Sequence, residues 1–138
     1  MKFIDSNVLV YVADDTDAEK QRIARNVVEQ AVSSSDFLVS AQVLNEFSAV
    51  LFKKLKKAQD EVDGFLEVLE QVKATPVLPE WTRRAVWIMG RYGIQFYDSL
   101  IVAAAEAGGC DEILSEDLSD GQVYCGIKAV NPFKATTP

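Results

Sequence analysis

Three acidic residues follow or begin apolar segments in a pattern that could bring their carboxylates together. Asp5 comes directly after the apolar segment 2–4, and Asp117 comes three residues after segment 112–114, so both follow predicted strands. Asp98 begins a very apolar segment that predicts a buried helix. Neighbouring strand ends lie about 4.8 Å apart, so acids from two or three of them can converge. In open parallel sheets, ligands bind at this carboxyl edge.

Glu46 is a fourth candidate, on the helix predicted to follow the second strand. On a helical wheel its carboxylate falls beside the apolar arc formed by Val43, Phe47, Val50 and Leu51. A carboxylate beside buried surface usually has a partner, because an unpaired charge there costs free energy.

Each of the other three acids also has a purely structural interpretation. Asp5 and Asp98 are good helix N-cap residues, and Asp117 is a common turn residue. Capping and turn chemistry explain each of them singly, so the set of four, rather than any one member, favours a functional site.

The composition limits the chemistry that these acids could perform. The chain has no histidine, which excludes Ser-His-Asp and Cys-His nucleophiles, histidine acid–base pairs and zinc sites with histidine ligands. No Lys or Arg adjoins any of the four acids in sequence, so a hard divalent cation such as Mg²⁺ or Mn²⁺ is their natural counter-ion. One or two such ions would hold a phosphodiester and activate a water for in-line attack.

Charge and hydropathy exclude several other functions. With 14 basic and 21 acidic residues the net charge is −7, which argues against a generic nucleic-acid binder unless cations sequester some acids. The two cysteines, Cys110 and Cys125, are too few for a disulfide scaffold and indicate a reducing compartment. No apolar run approaches the length of a membrane span. We therefore expect a cytoplasmic protein with no membrane partner.

The elements that position these acids follow from an alternation of short apolar segments with helical ones. This alternation is typical of a single α/β domain, here residues 1–133 with a frayed tail at 134–138, whose parallel sheet is covered on both faces. About five short strands are expected, over residues 2–4, 37–39, 76–79, 112–114 and 126–130. The prolines that flank 76–79 place that strand at an edge. Helices are expected over residues 8–13, 18–33, 40–57, 59–72, 80–92 and 98–107.

These residues resemble the motifs of PIN-domain ribonucleases of the VapC toxin type. The matching stretches run in the family's order over residues 2–133: Ile4-Asp5-Ser6-Asn7, Asn45-Glu46-Phe47, Tyr97 to Ala105 and Ile113 to Leu118. The resemblance implies a three-layer α/β/α sandwich and Mg²⁺-dependent cleavage of RNA, with Mn²⁺ as a substitute. It also implies a cognate VapB-like antitoxin and a homodimer.

Carried over residue by residue, the resemblance places the catalytic and metal-binding carboxylates at Asp5, Glu46, Asp98 and Asp117. Ser6 and Asn7 follow the first acid as in the family and are expected to hold or orient ligands. Ser115 stands where the family frequently has threonine and keeps the hydroxyl. Asp120 is expected to assist from behind the ligands, and Glu116 is expected to face solvent.

Lys53 and Lys57 are the candidate RNA contacts. They follow Glu46 by seven and eleven residues, which on one continuous helix directs all three side chains to nearly the same side. Lys53 would lie about 10 Å from Glu46 along the axis, within reach of phosphates near the cut. The alternative is a solvated, lysine-rich helix end favoured by the helix dipole.

The helix predicted over 80–92 carries more large apolar residues than one core stripe needs, namely Trp81, Trp87, Ile88, Met89 and Tyr92. Exposed residues of these types favour an interface between two copies of the chain. Core packing is the competing explanation.

Other functional classes fit the sequence less well than the nuclease. A receiver-like phosphoacceptor domain would need an acid pair near the first strand, but no second acid precedes Asp14. Cysteine chemistry has no histidine partner. A catalytically silent PIN scaffold that binds RNA or protein is the stronger alternative, although all four acids are retained. The antitoxin is expected to place an Arg or Lys among the acids, or else to block the RNA path sterically.

Overall fold

The computed structural model describes residues 1–134, so the predicted tail lies outside the described residues from 135 onward. The strands are β1 (Lys2–Ile4), β2 (Phe37–Ser40), β3 (Lys73–Thr75), β4 (Glu112–Leu114), β5 (Val123–Tyr124) and β6 (Ile127–Val130). The helices are α1 (Ser6–Val10), α2 (Ala18–Ser33), α3 (Ala41–Lys53), α4 (Gln59–Leu69), α5 (Trp81–Tyr92) and α6 (Phe96–Ala107).

The sheet has the strand order β3-β2-β1-β4-β6-β5 and is parallel except for the β5–β6 hairpin. The first strand of the chain is therefore central, with β2 on one side and β4 on the other. This is a switch point of the strand order, where an open parallel sheet forms a crevice at its carboxyl edge. The predicted α/β class with a largely parallel sheet is confirmed.

The layers follow from how the helices pack. Helices α1 to α4 pack against one another, α5 packs against α6, and α6 lies on β2, β4 and β6. Residues 99–105 of α6 are all buried, in keeping with their apolar sequence. At the end of α6, a side chain on Gly108 would collide with Leu38 of β2. The three-layer α/β/α arrangement expected from the sequence is confirmed.

Two strands differ from the prediction. The third strand is Lys73–Thr75 rather than 76–79, because Pro76 cannot donate to the sheet and ends the pairing with β2. The edge position was predicted correctly. A sixth strand, β5, was not predicted. It forms a hairpin with β6 through Cys125 and Gly126, whose φ angles are 52° and 80°, the left-handed geometry of a two-residue turn.

The helix that carries Glu46 is shorter than predicted. Ser40 caps it by accepting a hydrogen bond from Val43 N at 3.3 Å, as its residue type suggests. The helix ends at Lys53, and Lys57 N then donates to Leu51 O at 3.0 Å while Lys56 has a φ of 55°. The turn after the helix thus contains a left-handed residue, which takes the chain off the helix axis. Lys57 is therefore not on the helix, and its predicted alignment with Glu46 is wrong.

The apolar residues of α5 divide between core and surface. Ile88 is buried, and Trp81 and Tyr92 pack against the core. Trp87 and Met89 are exposed, Trp87 by 50%. Core packing thus explains three of the five large apolar residues on this helix. Over residues 1–134, no helix combines the length and apolarity needed to cross a membrane.

Candidate active site

Asp5 lies at the switch point and is the most tightly held of the four acids. Its Oδ1 accepts a hydrogen bond from Ser6 N at 2.7 Å, which caps α1. Its Oδ2 accepts hydrogen bonds from Ser115 Oγ at 2.9 Å and Asn7 Nδ2 at 3.2 Å. The residue is only 4% exposed. The capping interpretation of Asp5 is therefore correct, but capping uses only one carboxylate oxygen, and the other accepts hydrogen bonds from Ser115 and Asn7.

The backbone explains why Asp5 and Ser115 meet. Asp5 N donates to Leu114 O at 2.9 Å, and Ser115 N donates to Val130 O at 3.0 Å, which extends the pairing of three central strands by one residue. Ser115 Oγ also accepts from Asp117 N at 3.2 Å. The two side chains are thus fixed next to each other by the sheet, and Ser115 orients the loop that carries Asp117.

Asn7 completes this cluster. Its Nδ2 donates to Ser115 Oγ at 3.3 Å as well as to Asp5, and its Oδ1 accepts from Glu116 N at 3.0 Å. The amide therefore links the start of α1 to the loop after β4. Asn7 and Ser115 contact Asp5 through their side chains and Ser6 through its backbone N–H, and their role toward a ligand stays a prediction.

Glu46 and Asp98 approach from helices and are less constrained. Glu46 is half-buried on α3, and its Oε1 accepts from Gln42 Nε2 at 3.2 Å. Gln42 also donates to Tyr97 O at 3.1 Å, which ties α3 to the start of α6. Asp98 lies in the first turn of α6, whose N-cap is Gln95. The capping interpretation of Asp98 is therefore wrong, and its side chain is available for another role.

The four carboxylates interact electrostatically. Burial raises the pKa of Asp5 to about 7, against the opposing hydrogen bonds from Ser115 and Ser6, and the charges of Asp98 and Glu46 add to the rise. Burial likewise raises the pKa of Glu46, with further contributions from the charges of Asp98 and Asp117. Burial and then the charge of Asp117 raise the pKa of Asp98. Each acid therefore lies close enough to influence at least one other.

The donor set matches a hard divalent cation in chemistry, since every candidate ligand is a carboxylate oxygen. Within residues 1–134, none of the four carboxylates forms a salt bridge with a basic group. The same residues contain no group of three or more acids or cysteines already gathered closely enough to hold an ion. The structure thus brings the four acids to one edge of the sheet without collecting them around one point.

Asp120 was expected to assist the four acids, and its own contacts lie elsewhere. Its Oδ1 accepts from Asn131 N at 2.8 Å, and its Oδ2 lies 3.7 Å from Lys134 Nζ. These contacts attach the segment after β6 to the loop after β4. The structure therefore gives Asp120 a role in that segment, and its assistance to the site stays a prediction.

Glu116 does not face solvent as expected. Its Oε2 forms a 2.6 Å salt bridge with Lys20, and its Oε1 accepts from Tyr11 OH at 2.8 Å. The Lys20 ammonium also lies 4.8 Å from the centre of the Tyr11 ring. Both oxygens of Glu116 therefore have partners on α2 and after α1, where the sequence predicted a solvated side chain.

Two clefts flank the acids. The Tyr97 cleft, of about 690 Å³, is lined by Ala41, Gln42, Asn45, Glu46, Pro76, Val77, Tyr97 and Leu100. The Lys54 cleft, of about 310 Å³, is lined by Ser6, Asn7, Val10, Tyr11, Asp14, Val50, Lys54, Leu55, Glu116 and Asp117. One cleft contains Glu46 and the other contains Asp117, so each borders one of the four acids.

Sequence reasoning did not single out two residues that line these clefts, Lys54 and Tyr97. Lys54 lines a cleft with Asp117, whereas the predicted RNA contacts, Lys53 and Lys57, assumed a continuous helix. The helix ends at Lys53 without a glycine to mark the end, so the sequence carries no strong signal for it. Tyr97 was noted only as part of a motif, and an exposed aromatic directly before a candidate acid was the available signal.

Comparison with protein-family models gives a match to the PIN domain over residues 2–119. The chain therefore belongs to the PIN domain family. A comparison with curated protein sequences gives no match.

Solved structures share the fold at low sequence identity. A toxin-antitoxin complex from Klebsiella pneumoniae matches with a TM-score of 0.73 and 16% identity, covering 98% of this chain and 100% of that one. VapBC2 from Rickettsia felis, bound to a promoter DNA fragment, matches with a TM-score of 0.67 and 16% identity, covering 93% of this chain and 96% of that one. Mycobacterium tuberculosis VapC20, a toxin that cleaves the sarcin-ricin loop, matches with a TM-score of 0.66 and 14% identity, covering 85% of this chain and 90% of that one.

Proposed function

We propose that this chain is a metal-dependent endoribonuclease toxin of the VapC type that acts on cellular RNA in the cytoplasm. The observation that carries the proposal is the environment of Asp5. This carboxylate is buried at the switch point of the sheet, and the neighbouring charges of Glu46 and Asp98 raise its pKa further. Such an arrangement is unfavourable in the charged state unless a cation compensates it.

Asp5, Glu46, Asp98 and Asp117 would hold Mg²⁺, with Mn²⁺ able to replace it. When bound, the ion supplies positive charge to the phosphodiester and acidifies an attacking water. The protein's own contribution is positional. Three donors fix Asp5 in one orientation. The acids of α3, α6 and the loop after β4 have fewer contacts and can adjust.

The test is cleavage of a single-stranded RNA by the wild type with Mg²⁺, with Mn²⁺ and with excess EDTA. Asp98→Asn is compared with Asp63→Asn, a matched change at an exposed acid of α4. We expect cleavage with either metal, none in EDTA, none by Asp98→Asn and full activity of Asp63→Asn. Calorimetric titration should show Mn²⁺ binding more tightly than Mg²⁺.

Full activity in excess EDTA would contradict the proposal. RNA binding without cleavage in the presence of Mg²⁺ would instead indicate the catalytically silent scaffold.

The antitoxin partner is proposed from the structural neighbours, two of which are toxin-antitoxin complexes. An apolar pocket of about 150 Å³ between the helices of one layer suits an apolar segment of that partner; it is lined by Leu9, Val12, Val28, Phe47, Phe65, Val68 and Leu69. A basic side chain of the same peptide would reach the acids. Titrating a co-purified antitoxin with and without Mn²⁺ tests this, because competition for the acids requires weaker binding with metal. Equal affinities would support steric blockage.

A homodimer is proposed through the exposed face of α5. Val86, Trp87 and Met89 are exposed on this helix, and exposed aromatic and Met side chains are enriched at interfaces. Light scattering at micromolar concentration should give the mass of a dimer, and Trp87→Glu should give that of a monomer. A monomeric wild type would contradict this assembly.

A further inference from the structure

Tyr97 is an exposed aromatic side chain in a fixed place. It is 64% exposed, although its neighbours in α6 from Ser99 onward are buried. Its backbone oxygen accepts the hydrogen bond from Gln42 Nε2, and its ring meets the ring of Phe96 edge-on at 5.3 Å. The residue is therefore positioned by its surroundings while most of its ring area faces solvent.

The cleft beside Tyr97 offers a second kind of contact on its α3 side. Asn45 is exposed there, and its side-chain amide makes no hydrogen bond within residues 1–134. Pro76, Val77 and Leu100 supply apolar surface. An aromatic ring, a free amide and apolar surface are the groups that recognise a nucleobase, by stacking and by hydrogen bonds to its edge.

The charge of this cleft suits a base better than a phosphate. Its lining includes Glu46 and no Lys or Arg, whereas the cleft on the other side of the acids contains Lys54. A phosphate beside Glu46 would be repelled, but an uncharged base would not. The volume of about 690 Å³ lies in the range of small-molecule sites and is sufficient for one base and its ribose.

We propose that the Tyr97 cleft binds one unstacked base of single-stranded RNA next to the scissile phosphodiester. Tyr97 stacks on the base and Asn45 contacts its edge. The inference rests on the proposed nuclease function and names the residues that hold one base. Because a base within a duplex cannot leave its stack without cost, this subsite should bind a single strand more tightly than a duplex.

The experiment measures RNA binding by fluorescence anisotropy in Mg²⁺, on an Asp117→Asn background that prevents cleavage during the measurement. The cut is first mapped with the wild type. Tyr97→Ala is compared with Tyr97→Phe, which keeps the ring, and with Phe52→Ala, which removes an aromatic that is 59% exposed and lines neither cleft. Each variant is titrated with the intact RNA, with a duplex, and with RNAs that lack one base at each position flanking the cut.

Tyr97→Ala should weaken binding of the intact RNA by about 5- to 100-fold, the usual effect of removing a base-stacking aromatic. Tyr97→Phe and Phe52→Ala should change it little. For one abasic RNA, the affinity of the parent protein should be as low as the affinity of Tyr97→Ala for the intact RNA. Adding Tyr97→Ala should not lower the affinity for that abasic RNA further. The duplex should bind less tightly than the single strand.

The inference would be overturned if Tyr97→Ala bound the intact RNA as tightly as its parent protein. It would also be overturned if Tyr97→Ala lowered the affinity for every abasic RNA by the same factor. An equal loss in Phe52→Ala would overturn it too. If the wild type cleaves RNA and Tyr97→Ala behaves identically, the base subsite fails and the nuclease proposal stands. If the wild type neither binds nor cleaves RNA, both fail.

Discussion

The candidate site has two halves that are built differently. The strand half consists of Asp5, Asn7 and Ser115, which are joined by hydrogen bonds of 2.9–3.3 Å at the ends of two paired strands. The helix half consists of Glu46, Asp98 and Asp117; Glu46 has one side-chain partner, and the other two acids have no side-chain hydrogen bond among the described residues. The strand half is organised before any ligand arrives. The helix half has few contacts that fix its side chains.

This difference accounts for the absence of a collected metal shell in residues 1–134. Burying several carboxylates around one point without a cation would be costly, because each would raise the pKa of the others. Only Asp5 is buried, and it has three donors to offset the cost. The remaining acids stay partly exposed, where water screens their charges.

The largest expected effect is loss of cleavage when either half loses a charge. Asp5→Asn and Asp98→Asn should both reduce cleavage below detection in Mg²⁺, since each removes a negative ligand while keeping the side chain's shape. Single-turnover cleavage assays measure this, with circular dichroism to confirm folding. If Asp98→Asn kept activity within about tenfold of wild type, the charge of Asp98 would not be needed for cleavage, which would contradict a requirement for both halves.

Stability against pH gives the next largest effect and distinguishes the halves. An unperturbed aspartate has a pKa of 3.8, whereas burial raises the pKa of Asp5 in the folded protein to about 7, so the folded state binds the proton more tightly. Stability therefore falls as pH rises from about 4 to about 7, by up to about 4 kcal/mol, and stays low above that range. Urea unfolding in EDTA at pH 5 and pH 8 measures the fall.

Asp5→Asn serves as the comparison, because it has no charge to bury. Its unfolding free energy should decline less than that of wild type between the two pH values, and at pH 8 it should be the more stable protein. Glu46 and Asp98 contribute in the same direction in both proteins. Parallel declines in the two proteins would mean that Asp5 is not the acid whose burial limits stability.

The strand half was more predictable from sequence than the helix half. Asp5 and Asp117 each follow an apolar strand, and parallel strand ends meet at one edge, so the strand pattern predicted this edge as the site. Ser115 was placed there by the family resemblance. The hydrogen bonds of Asn7 were not predictable in detail, because they depend on how the loop after β4 folds over α1.

Helix ends limited the prediction of the other half. Asp98 is the third residue of α6 because the helix begins before the apolar run, at Phe96. Lys57 is off the helix because the helix ends at Lys53, and the turn that follows includes Lys56, which has a left-handed φ without being glycine. Both outcomes depend on local backbone choices that residue types specify weakly, whereas the core strands and the buried length of α6 follow from composition.

Ser115→Ala tests how far the strand half depends on its hydroxyl. The change removes the 2.9 Å hydrogen bond to Asp5, which opposes the effect of burial, so the pKa of Asp5 should rise further. We expect the cleavage rate to fall by about 10- to 100-fold, as for other groups that orient a metal ligand. The pH range over which the rate increases as Asp5 ionises should also move to higher pH. Ser119→Ala, at an exposed serine of the same loop, is the control.

The rate of Ser115→Ala as a function of pH separates two explanations. A loss of equal size at every pH would indicate misplacement of Asp5 alone. A loss that diminishes at high pH would indicate the additional pKa change that the hydrogen bond predicts.

The smallest expected effect concerns the lysines near the helix half. Lys54 lines the cleft that contains Asp117, and its charge acts with that of Lys57 on Asp14, whose pKa is lowered first by hydrogen bonds from Thr16. Each phosphate contact on a single strand contributes about 0.7 to the slope of log affinity against log salt. Lys54→Ala should therefore flatten the slope by about that amount, as should Lys57→Ala if its position near this cleft is used.

Lys53 provides the contrast. It lies in the last turn of α3, is exposed, and lines neither cleft. Lys53→Ala should leave the slope closer to that of wild type when affinities are measured over a salt range of roughly 50 to 300 mM. A slope changed by Lys53 and not by Lys54 would support the predicted RNA contact at Lys53 and place the RNA along α3. The opposite result would indicate that the RNA backbone passes through the Lys54 cleft, away from the base-binding Tyr97 cleft. The two clefts would then hold chemically different parts of one strand.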